Sequence, residues 1–167
     1  MAITIQIVGH KNSGKTAVTT SLIKQLTRAG YRVASIKHDA HTGTMDYPGT
    51  DSARMTAAGA HQVILEADGQ FFFHQRGAVP PLAELVQHLV PDNDFIIIEG
   101  HKAASYPKIY LLQEGEQPDS STLQNCICRP VCILHQSRID DQQRDRLVKW
   151  IVSYLNKEKR DELHWLG

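Results

Sequence analysis

Apolar positions along the chain switch repeatedly between a period of about two and a period of about 3.6, the spacings of strands and helices. Residues 3–8 carry Ile3, Ile5, Ile7 and Val8 and stop at Gly9, which predicts a strand. Val18, Leu22, Ile23 and Leu26 follow at helical spacing, and Gly30 lies just past the basic Lys24 and Arg28, a helix-stop arrangement. Residues 31–36 return to a strand pattern, so the first third reads as a βαβ unit. Residues 39–50 are rich in Gly, His, Asp and Thr, contain Pro48, and predict a loop of unusual length at the strand's end.

Beyond that loop, Thr50 or Asp51 is placed to cap a short helix reaching Ala58, with Gly59 ending it, and residues 61–67 read as a strand. Asp68-Gly69 is a turn signal, and Phe71, Phe72 and Phe73 after it predict an antiparallel hairpin. Residues 81–90 place Leu82, Leu85, Val86 and Leu89 on one side of a helix. Residues 94–99 form a nearly continuous apolar run, as a parallel strand buried on both faces requires. Residues 109–112 and 130–134 are further strands, and residues 140–155 a closing helix, with the charged last dozen residues expected to fray. The pattern predicts a doubly wound α/β fold. Its sheet is mostly parallel with helices on both faces and an antiparallel hairpin added. Right-handed crossovers then gather the loops after Val8, Ile36 and Ile98 at one end of the sheet.

Length and charge narrow the setting. A chain of 167 residues suits a single domain of residues 1–167, since domains run to roughly 100 to 200 residues. No segment approaches the roughly 20 apolar residues of a membrane span. Lys and Arg balance Asp and Glu at formal net zero, which disfavours a broad nucleic-acid surface. The N-terminus lacks the sections of a signal peptide, so the expected location is the cytoplasm. The three cysteines, Cys126, Cys128 and Cys132, are a poor disulfide framework and fit a reducing compartment. Their apolar neighbours favour packing over metal binding.

The chemistry is concentrated in Gly9-His10-Lys11-Asn12-Ser13-Gly14-Lys15-Thr16, a full match to G-x-x-x-x-G-K-[ST] placed between a predicted strand and a predicted helix that continues through Ala17. With this motif at the first strand-helix junction, the predicted fold class is α/β of the P-loop NTPase-like, three-layer kind; its glycines let backbone N–H groups turn inward on phosphate oxygens, and the helix start adds its positive end. Lys15 is the residue for the β and γ phosphates. Thr16 offers its hydroxyl to Mg2+, a hard ion that prefers oxygen. Such sites add a carboxylate near the magnesium, and Glu99 ends the buried run with Gly100 behind it, where the backbone could approach a γ phosphate. Asp39 is a second magnesium candidate. Lys37, His38 and His41 place cation and imidazoles beside the same crevice, with metal binding, proton transfer and phosphate contact as roles for the histidines. Asp51 and Arg54 follow the long loop, and Arg54 could meet phosphate through its planar fork. A solvated surface role is the plain alternative for Lys11, Asn12, the histidines and Arg54.

GHKNSGKT, SIKHDAH, GTDSARMTAAGA and DFIIIEGHKAASYPKI, in this order and spacing, resemble the molybdopterin-guanine dinucleotide biosynthesis protein B family over most of the chain. The resemblance implies a homodimeric GTP-binding accessory protein with slow GTPase activity. It would assist the molybdopterin guanylyltransferase that joins GMP to molybdopterin, with molybdopterin itself a further candidate ligand. By the same resemblance the nucleotide site falls on Gly9 to Thr16, the magnesium carboxylate on Glu99, and the basic histidine segment on Lys37 to His41. No N-K-x-D or T-K-x-D segment is present, so the guanine preference is carried by the resemblance. Lys11 also stands one place too late for the variant P-loop with lysine directly after the first Gly. The competing reading is an ATP-dependent small-molecule kinase, which usually carries an Arg-rich lid; residues 114–125 contain no Arg.

Overall fold

The computed structural model describes residues 2–39, 46–113, 115–116, 126, 132–134 and 139–165. Its contacts divide the chain into two compact units, Met1–His38 with Leu85–Gly167, and Asp39–Glu84.

The first unit is built on a five-stranded sheet. Strands β1 (Ile3–Gly9), β2 (Val33–Lys37), β5 (Phe95–Glu99), β6 (Lys108–Gln113) and β7 (Cys132–Leu134) lie in the order β2-β5-β1-β6-β7. All four ladders are parallel. Because side chains alternate across a strand, Ile5, Ile7, Phe95, Ile97, Ile109 and Leu111 face one way. They pack against α1 (Lys15–Arg28) and α4 (Asp141–Trp165) through Val18, Leu22, Leu26, Leu147, Val148, Ile151 and Leu155. Ile96 and Ile98 point the other way and are equally buried, which explains the unbroken apolar run of β5. On that second face Val8, Tyr110 and Leu112 form a smaller cluster against which the half-buried Cys126 packs.

The closing helix is longer than its apolar pattern predicts. It runs to Trp165 and takes in residues expected to fray. Lys159 ties this extension to the sheet: its ammonium lies 3.6 Å from Asp94 Oδ1 and 6.0 Å over the Phe95 ring. Cys132 contributes to β7, and Cys128 lies outside the described residues.

The second unit holds α2 (Asp51–Ala57) and the hairpin β3 (Gln62–Ala67) and β4 (Gln70–Gln75). Thr50 caps α2, its hydroxyl accepting from the Ala53 N–H at 3.3 Å. Asp68 and Gly69 turn the hairpin with φ of 46° and 73°, the paired positive angles of a two-residue turn matched to strand twist. Phe71, Ile64 and Leu65 are more than half exposed and Phe73 nearly so, whereas Val63 is buried. Helix α3 (Leu82–Leu89) buries Val86. Among the described residues no helix is long and apolar enough to cross a membrane.

Candidate nucleotide site

β1 ends at Gly9 and α1 begins at Lys15, so the residues between them must reverse the chain in a short span. Two left-handed residues do this, Asn12 with φ 65° and Gly14 with φ 94°. Gly14 is also pressed by a neighbour: a Cβ there would collide with Ile139 Cγ2, and the Ile139 N–H donates to the Ser13 carbonyl at 3.1 Å. The loop is thus held from the segment that leads into α4. Lys15 folds back, its ammonium donating to the Gly9 carbonyl at 3.2 Å and to that of His10. Burial pushes its pKa down, opposed by the nearby Glu99 carboxylate and aided by the Lys37 charge. The first-turn N–H groups of α1 lack acceptors within the helix, as at every helix start, and Gly14 supplies no side-chain cap for them.

One strand away, β5 delivers Glu99 to the same place. The Thr16 hydroxyl donates to Glu99 Oε1 at 2.7 Å, and the Glu99 side chain is only 7% exposed. Lys37 ends β2 directly opposite Glu99 in the parallel ladder. Its ammonium lies 3.5 Å from Glu99 Oε1 and 3.5 Å from Thr16 Oγ1. A hydroxyl and a carboxylate side by side at a helix N-terminus are hard oxygen donors of the type Mg2+ takes, so the residues present fit that ion. The structure therefore brings Lys15, Thr16, Glu99 and Lys37 together.

Gly100 turns away from β5 with φ 93°, and a Cβ there would come within 3.2 Å of His38 Cβ, so β2 and β5 part tightly at this point. Sequence reasoning passed over three residues here. Gln6, buried in the middle of β1, donates through Nε2 to the carbonyls of Gly100 at 2.7 Å and His101, fixing the turn behind Glu99. His101 stands against His38, ring centroids 4.5 Å apart; burial and then the charge of His38 lower its pKa. Glu116 pairs with His10 of the loop while accepting from the Tyr110 hydroxyl at 2.8 Å and the Gln113 N–H at 3.0 Å. Burial opposes ionisation of Glu116, yet the Gln113 N–H, the Tyr110 hydroxyl and His10 together hold its carboxyl below the usual value. A polar side chain inside an apolar strand was a usable signal for Gln6. Glu116 had none, lying in a polar stretch with no periodicity.

The remaining candidates divide. Lys11 and Asn12 are exposed on the loop, and Ser13 is buried beneath it, its hydroxyl among the buried groups with no hydrogen-bond partner. Asp39 is exposed one residue past His38, and His41 lies outside the described residues. Asp51 and Arg54 belong to the second unit and pair with each other across one turn of α2 at 3.3 Å, both largely exposed.

Comparison with known proteins extends this geometry. Residues 4–129 match the sequence model of the family described as Molybdopterin guanine dinucleotide synthesis protein B. Over 127 residues the chain is 33% identical to a probable molybdopterin-guanine dinucleotide biosynthesis adapter protein of Bacillus subtilis, covering 74% of this chain and 72% of that one. Over 115 residues it is 37% identical to the adapter protein of Haemophilus influenzae, covering 67% and 65%. The fold is similar to the crystal structure of Bacillus subtilis MobB, with a TM-score of 0.66 at 24% identity over 90% of this chain and 96% of that one. It is also similar to a MobB homolog from Bacillus stearothermophilus, with a TM-score of 0.64 at 20% identity over 92% and 98%. At these identities the structural likeness is one of fold.

Proposed function

The chain belongs to the molybdopterin guanine dinucleotide synthesis protein B family, and from that premise we propose that it is a GTP-binding adapter of this synthesis with weak GTPase activity. It assists the guanylyltransferase that converts molybdopterin cofactor to molybdopterin-guanine dinucleotide, acting as a cytoplasmic homodimer. The observation that carries the nucleotide reading is the 2.7 Å contact between Thr16 and Glu99 at the mouth of the loop that holds Lys15. Backbone N–H groups of the loop and the Lys15 ammonium bind the phosphates, exchanging the carbonyls of Gly9 and His10 for phosphate oxygens. Thr16 and Glu99 would hold Mg2+, which when bound neutralises charge between the β and γ phosphates. Glu99, fixed by Thr16, also orients the attacking water. Hydrolysis without an arginine on the transferring phosphoryl group is slow, since that contribution is worth roughly a thousandfold or more. Apolar side chains exposed on the hairpin, Ile64, Phe71 and Phe73, support association with a second copy.

Calorimetry with GTP, ATP and GDP in the presence of magnesium, beside Lys15→Ala, tests the reading. GTP is expected to bind in preference to ATP, and Lys15→Ala to abolish detectable binding. Preference for ATP would favour the small-molecule kinase instead, and equal binding by the variant would remove Lys15 from the site.

A further inference from the structure

The Lys37 ammonium occupies a position that its strand did not need to fill. β2 pairs with β5 through Ala34 opposite Ile96, Ser35 opposite Ile97 and Ile36 opposite Ile98, and the ladder ends on Lys37 opposite Glu99. Lysine at a strand end normally reaches into water, where its charge is well solvated. Here it turns back over the loop until its Nζ stands 3.5 Å from both Thr16 Oγ1 and Glu99 Oε1. Lys15, whose pKa is lowered chiefly by burial, feels the same charges: Glu99 raises it and Lys37 lowers it further. One buried carboxylate therefore faces two ammonium groups, a net positive corner at the mouth of a phosphate loop.

The two lysines approach from different sides. Lys15 comes from the first turn of α1 and bonds the carbonyls of Gly9 and His10, inside the loop that cradles the phosphates. Lys37 comes from β2 and stands at Thr16 and Glu99, the oxygens that would take Mg2+, so that an ion arriving there would release its ammonium toward the terminal phosphoryl group. Resting on the nucleotide reading above, we infer that Lys37 is the γ-phosphate sensor of this site: its ammonium contacts a terminal phosphoryl group that a diphosphate does not possess. The same ammonium is held here by Thr16 and Glu99. The side chain is 55% exposed, which leaves room for its ammonium to swing from these oxygens to those of the ligand. Lys37 thereby gives the protein a means of distinguishing its triphosphate form from its diphosphate form without a second protein.

A purely structural ion pair would stabilise the fold and leave nucleotide selectivity alone, so the test compares ligands. Affinities of the full chain for a non-hydrolysable GTP analogue, GMPPNP, and for GDP are measured with magnesium for the natural protein, Lys37→Met and Lys37→Arg. Thermal melts of each show that the fold persists. A charge-assisted hydrogen bond carries about tenfold to a hundredfold in affinity, so Lys37→Met should weaken GMPPNP by that factor and GDP little, and Lys37→Arg should recover most of the loss. An unchanged GMPPNP to GDP ratio in Lys37→Met overturns the assignment while leaving the nucleotide site intact. Failure of the natural protein to bind either nucleotide overturns the sensor together with the reading beneath it.

Discussion

Gly14 carries more of the site than its size suggests. Its φ of 94° is costly for any residue with a side chain, and the space a methyl would take is filled by Ile139. Gly14→Ala should lower stability by about 1 to 3 kcal/mol, read from the urea midpoint, and should weaken nucleotide binding further because the loop must shift to admit the methyl. An unchanged midpoint would mean that Ile139 yields freely. Glycine, lysine and threonine at this loop were legible in the sequence because their chemistry is local: eight consecutive positions make one phosphate cradle. Glu99 was legible through its place after an apolar run. Gln6 and His101 were not, since each acquires its meaning from contact with a distant segment. Gln6 meets Gly100 only because β1 lies beside β5, and His101 meets His38 only because β2 lies on the other side of β5.

At the scale of elements, the alternation of apolar spacings located the strands and helices of the described residues to within a few positions. The clear miss is the length of α4. Its apolar stripe ends at Leu155, and the turns beyond Leu155 are held by Lys159 reaching a carboxylate at the start of β5, a contact with no local signature. Asp94 serves several elements together. Oδ2 accepts from the Arg32 N–H at 3.0 Å just before β2, and Oδ1 lies near Lys159. The Arg32 N–H, with help from Lys159 and Arg32, holds the Asp94 carboxyl below its ordinary value of 3.8. A lowered carboxyl stabilises the fold when the pH is above its unfolded value and loses that contribution as the pH falls through its folded one. Asp94→Asn should therefore have a lower urea midpoint than the natural chain at pH 7, and the gap should close as the pH falls below about 4. A gap of constant size across that range would show that the charge is not responsible.

At the scale of the whole molecule, strand order is what the sequence conceals most. Consecutive β1 and β2 are not neighbours: β5 lies between them, and this interleaving sets Lys37 beside Glu99. Periodicity reports which residues are buried and says nothing of which strand pairs with which. The second unit shows another limit. Three successive phenylalanines after a turn ordinarily signal a core, yet Phe71 is 76% exposed, in a hairpin that has few apolar layers of its own to cover it. If these side chains join two copies, replacing Phe71 and Phe73 together by Ser should shift the mass measured by light scattering from dimer to monomer while the circular dichroism spectrum is retained. A dimer that survives both changes would place the contact elsewhere. Among the described residues the hairpin has only two strands, so each keeps one edge outside this ladder. Apolar side chains beside an open sheet edge are the ingredients of cross-β stacking, and a newly made chain offers both while it folds. Solubility during overproduction should consequently be a contest between folding and aggregation, one in which slower synthesis at lower temperature favours the soluble chain.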